Sequence, residues 1–177
     1  METKEIPEFS TSLPMLLNGA LDRIMPAYRE LFARFNLTEQ QWRVLRVLWS
    51  EDKVTAADLS RLTLLSAPSL VGILDRLENK KLIARVRSTT DRREVYIVTT
   101  TAGRNLREEI LPSVGQIHEE IRARVSPQEW DVMVTTLAKL SGNPGFSLSE
   151  QALMQSAERD STPGNKVIAN TRLKTSA

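Results

Sequence analysis

The stretch SAPSLVGILDRLENKKLIARVRSTTDRREVYIVTTTAG, residues 66–103, changes its hydrophobic period halfway along. Ser66 has the chemistry of a helix N-cap, and Pro68 fits a first turn whose N–H groups lack partners anyway. Leu70, Ile73, Leu74 and Leu77 then recur at i, i+3, i+4 and i+7, one face of a helix ending near Asn79-Lys80. From Leu82 the pattern changes: 82–87 and 94–99 are rich in β-branched residues, and the polar loop 88–93 separates them. The pair reads as a β-hairpin with a basic tip, Val95 and Ile97 on one face, Tyr96 and Val98 on the other.

Working upstream, Thr55 followed by Asp58 opens a short helix with Ala56, Leu59 and Leu62 inward. Thr38 with Gln41 is a capping-box signature for another, with Trp42, Leu45, Leu48 and Trp49 as its apolar face and 50–52 as its end. Residues 12–35 read as a long helix with a stripe of Leu13, Leu16, Leu17, Leu21, Ile24, Tyr28, Leu31 and Phe35, which Pro26 should kink or split.

Downstream, Thr101 begins a helix to about residue 124, with Leu106, Ile110, Val114, Ile117 and Ile121 as its stripe and a kink expected at Pro112. Ser126-Pro127-Gln128-Glu129 starts a sixth helix, with Trp130, Met133, Val134, Leu137 and Leu140 on its apolar face. Residues 141–145 close it. Beyond them the chain is rich in Ser, Thr, Asn and Ala, with room for one more helix at 148–157 before a flexible tail.

The order is α-α-α-α-β-β-α-α: a mainly α (α+β) fold whose middle is a helix-turn-helix with a wing. We divide the chain into an N-terminal arm and helix (1–36), a winged helix-turn-helix (37–100), two further helices (101–141) and a polar tail (142–177).

Composition narrows the class. The chain has 177 residues, 41% of them hydrophobic and only 5% aromatic, which suits a helical protein better than a β-sandwich. Cysteine is absent, which excludes disulfides and thiolate chemistry and points to the cytoplasm. No apolar run spans a membrane and no signal peptide is visible. Formal net charge is +2, but residues 76–93 carry seven basic residues (Arg76, Lys80, Lys81, Arg85, Arg87, Arg92, Arg93) against Glu78 and Asp91. Concentrated positive charge on a mildly acidic chain favours docking one surface onto a polyanion, a solvated loop being the alternative.

The helix at 66–79 sharpens this. With its stripe turned inward, the opposite face presents Ser69, Gly72 and Arg76. Small residues let a helix N-terminus approach phosphates or base edges, and Ser66 and Ser69 can hydrogen-bond there. Arg76 can reach the backbone or a guanine. On the hairpin tip, Arg92 and Arg93 suit the negative potential of a minor groove, with Asp91 able to pair with and aim an arginine.

The run 37–103 resembles the MarR family of bacterial regulators. The matching pieces are LTEQQWRVL at 37–45, PSLVGILDRLE at 68–78, Asp91-Arg92-Arg93, Thr100 and Gly103. The run at 68–74 is most similar to the subgroup that represses homoprotocatechuate catabolism. Thr99 stands where the family's wing signature has leucine, which should weaken packing under the wing. The resemblance implies that Asp91 orients Arg93 into the minor groove beside Arg92. It implies that Ser66, Pro68, Ser69 and Arg76 lie in or beside the major groove; Gly72 on the same helix face and Arg87 in the wing segment 82–87 complete the expected DNA-binding residues. It also implies a two-fold dimer built by the first, fifth and sixth helices. Their long stripes, more than one small domain can cover, agree.

The resemblance further implies an effector, a small aromatic acid or its CoA thioester, held between dimer helices and DNA-binding lobe. Trp42, Arg46 and Trp49 on the second helix and Arg23 and Tyr28 on the first suit an aromatic carboxylate. Core tryptophans beside a surface arginine are the alternative. His118 reads as a solvated helical residue, and no metal or cofactor is expected. No nucleophile with its base, metal cluster or phosphate loop marks an enzyme. The expected function is a sequence-specific repressor of an aromatic-catabolic operon, released from palindromic double-stranded DNA by that effector. A winged module that binds only protein is the alternative.

Overall fold

The computed structural model describes residues 8–51, 53–89 and 94–141. The chain forms two compact units, Met1–Arg124 and Val125–Ala177. In the first, a 3₁₀ turn (Phe9–Thr11) precedes α1 (Leu13–Arg34), α2 (Glu39–Ser50), β1 (Val54–Thr55), α3 (Ala56–Thr63), α4 (Ala67–Asn79), β2 (Ile83–Arg87), β3 (Val95–Thr99) and α5 (Thr101–Arg122). The second contains α6 (Pro127–Leu140). The fold is mainly helical, with a winged helix-turn-helix at its centre.

The helix starts follow local chemistry. Thr38 and Gln41 close a reciprocal capping box on α2, as do Ser126 and Glu129 on α6. On α3, Asp58 completes the box that glutamate usually forms: its carboxylate accepts from the Thr55 N–H at 3.4 Å and from the Thr55 hydroxyl at 2.7 Å. Those bonds, then Arg61, hold the Asp58 carboxyl below its usual range.

Several expectations need correction. The sheet has three antiparallel strands in the order β1-β3-β2, because two residues ahead of α3 pair with β3 in the register Val54↔Ile97 and Thr55↔Tyr96. A two-residue strand is too short to show alternation. Ala56 is exposed, since it is the first residue of α3; Leu59 and Thr63 are the buried ones. Pro26 does not split α1; α5 runs through Pro112 as the single helix expected. Both rings are exposed. So are Asp22 and Glu108, four residues earlier, whose carbonyls lose a partner at each proline and can meet water instead. The expected tail, 142–177, lies outside the described residues.

One core joins every helix of the first unit and all three strands. Leu31 and Phe32 of α1, Val44, Leu45 and Leu48 of α2, Leu59 of α3, the whole α4 stripe, Ile83, Ile97, and Ile110 and Val114 of α5 are buried together. It therefore crosses both 36/37 and 100/101. The stripe at the front of α1 is not part of it: Leu13, Leu16, Leu17 and Leu21 are exposed. No residue of α6 is buried, and Met133, Leu137 and Leu140 are exposed. Among the described residues, no single helix is long and apolar enough to cross a membrane.

Two backbone positions make opposite demands. Gly103, in the first turn of α5, lies against the segment that joins α4 to β2: a Cβ there would stand 2.2 Å from the Leu82 carbonyl oxygen and 2.7 Å from Thr99 Cγ2. Lys81 carries a Cβ at φ 59°, where L-residues are disfavoured. Gly103→Ala should cost about 1–3 kcal/mol through forced overpacking. Lys81→Gly should gain about 0.5–1 kcal/mol by relieving the left-handed residue. Denaturant melts of the two variants check both signs.

Candidate nucleic-acid interface

The candidate interface is built from α4 outward. The Ser66 hydroxyl caps α4, accepting from the Ser69 N–H at 3.4 Å and donating to the Ser69 hydroxyl at 2.8 Å. With Leu70, Ile73, Leu74 and Leu77 buried, Ser66, Pro68, Ser69 and Arg76 are exposed and Gly72 is half-buried. The Arg76 guanidinium folds back along the helix, 3.8 Å from where a Gly72 Cβ would stand. That is ordinary contact distance, so packing within the chain does not demand the glycine. The guanidinium lies over its bare backbone.

The wing strands pair from Ile83↔Thr99 to Arg87↔Val95. The Ser88 N–H donates to the Glu94 carbonyl at 2.9 Å across the base of the loop. Residues 83, 85 and 87 share one face of β2. Ile83 is buried in the core, Arg85 reaches α4, and Arg87 emerges exposed at the outer end. Asp91, Arg92 and Arg93 lie outside the described residues.

The basic segment is less basic in three dimensions than in sequence. Lys80 turns inward: its ammonium donates to the Asn36 carbonyl and to Gln41 Oε1, the latter at 3.0 Å. Partial burial, with Arg76 nearby, lowers its pKa. Arg85 bridges two acids of α4, Asp75 at 2.7 Å and Glu78, and hydrogen bonding to Asp75 leads the causes that raise its pKa. Arg76, Lys81 and Arg87 stay exposed. Nothing in sequence separates Lys80 and Arg85 from the rest, because their partners lie on other elements.

Thr99 is also better placed than its departure from the family signature suggests. Its hydroxyl donates to the Leu48 carbonyl at 3.1 Å, so the C-terminal end of α2 holds it under the wing. Thr100 caps α5, accepting from the Gly103 N–H at 3.1 Å and donating to the Lys81 carbonyl at 2.6 Å.

Four of the five candidate effector residues come together. Tyr28 meets Phe32 with ring centroids 6.0 Å apart, Phe32 stacks on Trp42 at 4.7 Å, and Trp42 meets Trp49 edge-on at 5.5 Å. The Arg46 guanidinium lies over the Trp42 ring at 5.7 Å, and Trp49 Nε1 donates to the Gly103 carbonyl at 3.0 Å. Both tryptophans are half-buried against the core. Phe32 links the cluster and escaped the sequence reading, although it stands one helical turn after Tyr28. Arg23 is exposed; five residues at 100° each place it about 140° around α1 from Tyr28. His118 is half-buried rather than fully solvated.

A family model described as the MarR family matches residues 35–94. The chain is 32% identical over 130 residues to the HTH-type transcriptional regulator FarR of Neisseria gonorrhoeae, covering 73% of this chain and 89% of that protein. It is 32% identical over 118 residues to the homoprotocatechuate degradative operon repressor of Escherichia coli, covering 67% and 80%. Among solved structures it is similar to BpsR of Bordetella bronchiseptica, whose DNA binding is regulated by 6-hydroxynicotinic acid. The TM-score is 0.71 at 28% identity, over 77% of this chain and 98% of that one.

Proposed function

Because this chain belongs to the MarR family, whose characterised relatives here are transcriptional regulators and not enzymes, we propose that it is a cytoplasmic, dimeric repressor of an aromatic-compound catabolic operon. Its operator is a pseudo-palindrome with half-sites roughly 34 Å apart, one turn of duplex. The observation that carries this reading is the outward face of α4: Ser66, Pro68, Ser69, Gly72 and Arg76 form one strip beside the wing strand bearing Arg87. Helix N-terminus and serines would engage phosphates and base edges in the major groove. In this reading Arg92 and Arg93 at the tip enter the adjacent minor groove, with Asp91 orienting Arg93.

Three features support the remaining parts of the proposal. The exposed leucines of α1 and the exposed apolar face of α6 leave surface for a second copy to cover, and dimerisation is typical of the family. The Tyr28, Trp42, Arg46 and Trp49 cluster offers π-faces and a guanidinium to an aromatic carboxylate. An aromatic acid or its CoA thioester is therefore the proposed effector, with Arg23 the outlying candidate. The repressor and BpsR comparisons point to the same chemistry.

Arg93→Ala should lower affinity for a selected duplex at least tenfold in a gel-shift titration with little change in melting temperature. Unchanged affinity would remove the wing from the interface. Failure of the wild-type chain to retain any duplex would favour a protein-interaction module. In a thermal-shift screen of aromatic acids and their CoA thioesters, a true effector at a hundred times its Kd should stabilise by about 2.7 kcal/mol, and that stabilisation should vanish in Arg46→Ala. A screen with no stabiliser rejects this effector class.

A further inference from the structure

The two acids on the exposed part of the recognition helix are the puzzle. Asp75 and Glu78 stand three residues apart on α4, beside the strip proposed to meet DNA, where a carboxylate would repel phosphate. The structure gives both the same partner. Arg85 of β2 donates from one guanidinium nitrogen to Asp75 Oδ1 at 2.7 Å and from the other to Glu78. Its own backbone N–H donates to Glu78 Oε1 at 3.2 Å. The Arg85 side chain is 32% exposed, less than either acid. A single planar fork thus meets two carboxylates and ties the first half of β2 to the helix, an arrangement that the point charge of lysine cannot reproduce.

We propose that Arg85 is a positioning residue for DNA binding: it touches no phosphate, but its single charge offsets one of the two carboxylate charges of Asp75 and Glu78 at the edge of the recognition surface and holds both acids toward β2. This rests on the DNA-binding reading above. It also reassigns a residue that charge counting alone would place on the phosphate backbone. A surface ion pair contributes little to stability, so the arrangement matters less for folding than for the field in front of α4. Two uncompensated negative charges within a Debye length of the duplex oppose every phosphate contact nearby.

The test uses the full-length protein, a duplex selected from a random pool, and affinities measured across a salt series. Arg85→Met keeps the aliphatic stem and removes the charge; it should weaken binding about tenfold at low salt. The slope of log K against log salt should change by well under one, whereas loss of a direct phosphate contact lowers it by about 1. Adding Asp75→Asn and Glu78→Gln to Arg85→Met should restore affinity to within about threefold of wild type. Asp75→Asn with Glu78→Gln alone should bind at least as tightly as wild type, and this variant carries the test if Arg85→Met does not fold. A slope lowered by one, no recovery in the triple variant, or tenfold weaker binding by the double variant overturns the proposal. Wild-type protein that retains no duplex overturns the DNA-binding reading and this proposal with it.

Discussion

Gly103 and the Leu82 carbonyl approach so closely that no side chain fits between them, and most of the functional architecture is registered on that contact. It brings the start of α5 under the segment joining α4 to β2. The Thr100 N–H and hydroxyl bond the carbonyls of Leu82 and Lys81, 3.1 and 2.6 Å away. On the other side Trp49 reaches the Gly103 carbonyl, and Thr99 reaches the C-terminal end of α2. Recognition helix, wing, α2 and α5 therefore meet in a few residues of backbone. The Thr100 and Gly103 of the family signature, which in sequence seem to belong to the wing, are better understood as this joint.

From the joint, α4 is held by side chains that charge patterning would send to solvent. Lys80 ties its C-terminal end to the α1–α2 turn, where Asn36 adopts φ 53° and Gln41 already serves in the α2 capping box. Arg85 ties its wing side to β2. Polar groups used this way orient an element more than they stabilise it, since exposed or half-exposed ion pairs contribute about 0–1 kcal/mol. What remains for a polyanion is a narrower set of cations than the sequence displays, on a surface whose direction these internal bonds define.

The same division runs along α1. Its second half supplies Leu31 and Phe32 to the core and Tyr28 to the aromatic cluster, whereas its first half presents leucines that the described part of the chain leaves exposed. One amphipathic helix can face two environments in succession because its stripe is longer than the core beneath it. The aromatic cluster sits where α1 meets α2, and Gln41 connects that corner to Lys80, the C-cap of α4. A ligand that moved those rings would thus act close to the anchor of the recognition helix.

Much of this was legible in sequence because its cause is local. A cap lies three residues from its partner, a helical stripe repeats within seven, and a hairpin shows itself by a change of period; so Ser66, Thr55, Thr38 and Ser126, the α4 stripe and the paired wing strands could be read directly. Other features depend on groups far apart along the chain. β1 exists only because β3 is beside it, Pro26 and Pro112 stay within helices whose freed carbonyls can face water, and Thr99 is held by a carbonyl 51 residues away. Which of the described cations from Arg76 to Arg87 are held by partners within the chain was undecided until folding brought Asn36 and Gln41 to Lys80 and the α4 acids to Arg85. The sequence by itself determined the elements and their buried faces, because backbone geometry and hydrophobic period act over one or two turns. Only the tertiary structure decided which polar side chains are structural and which are left to bind, because that choice is made by partners no local pattern encodes.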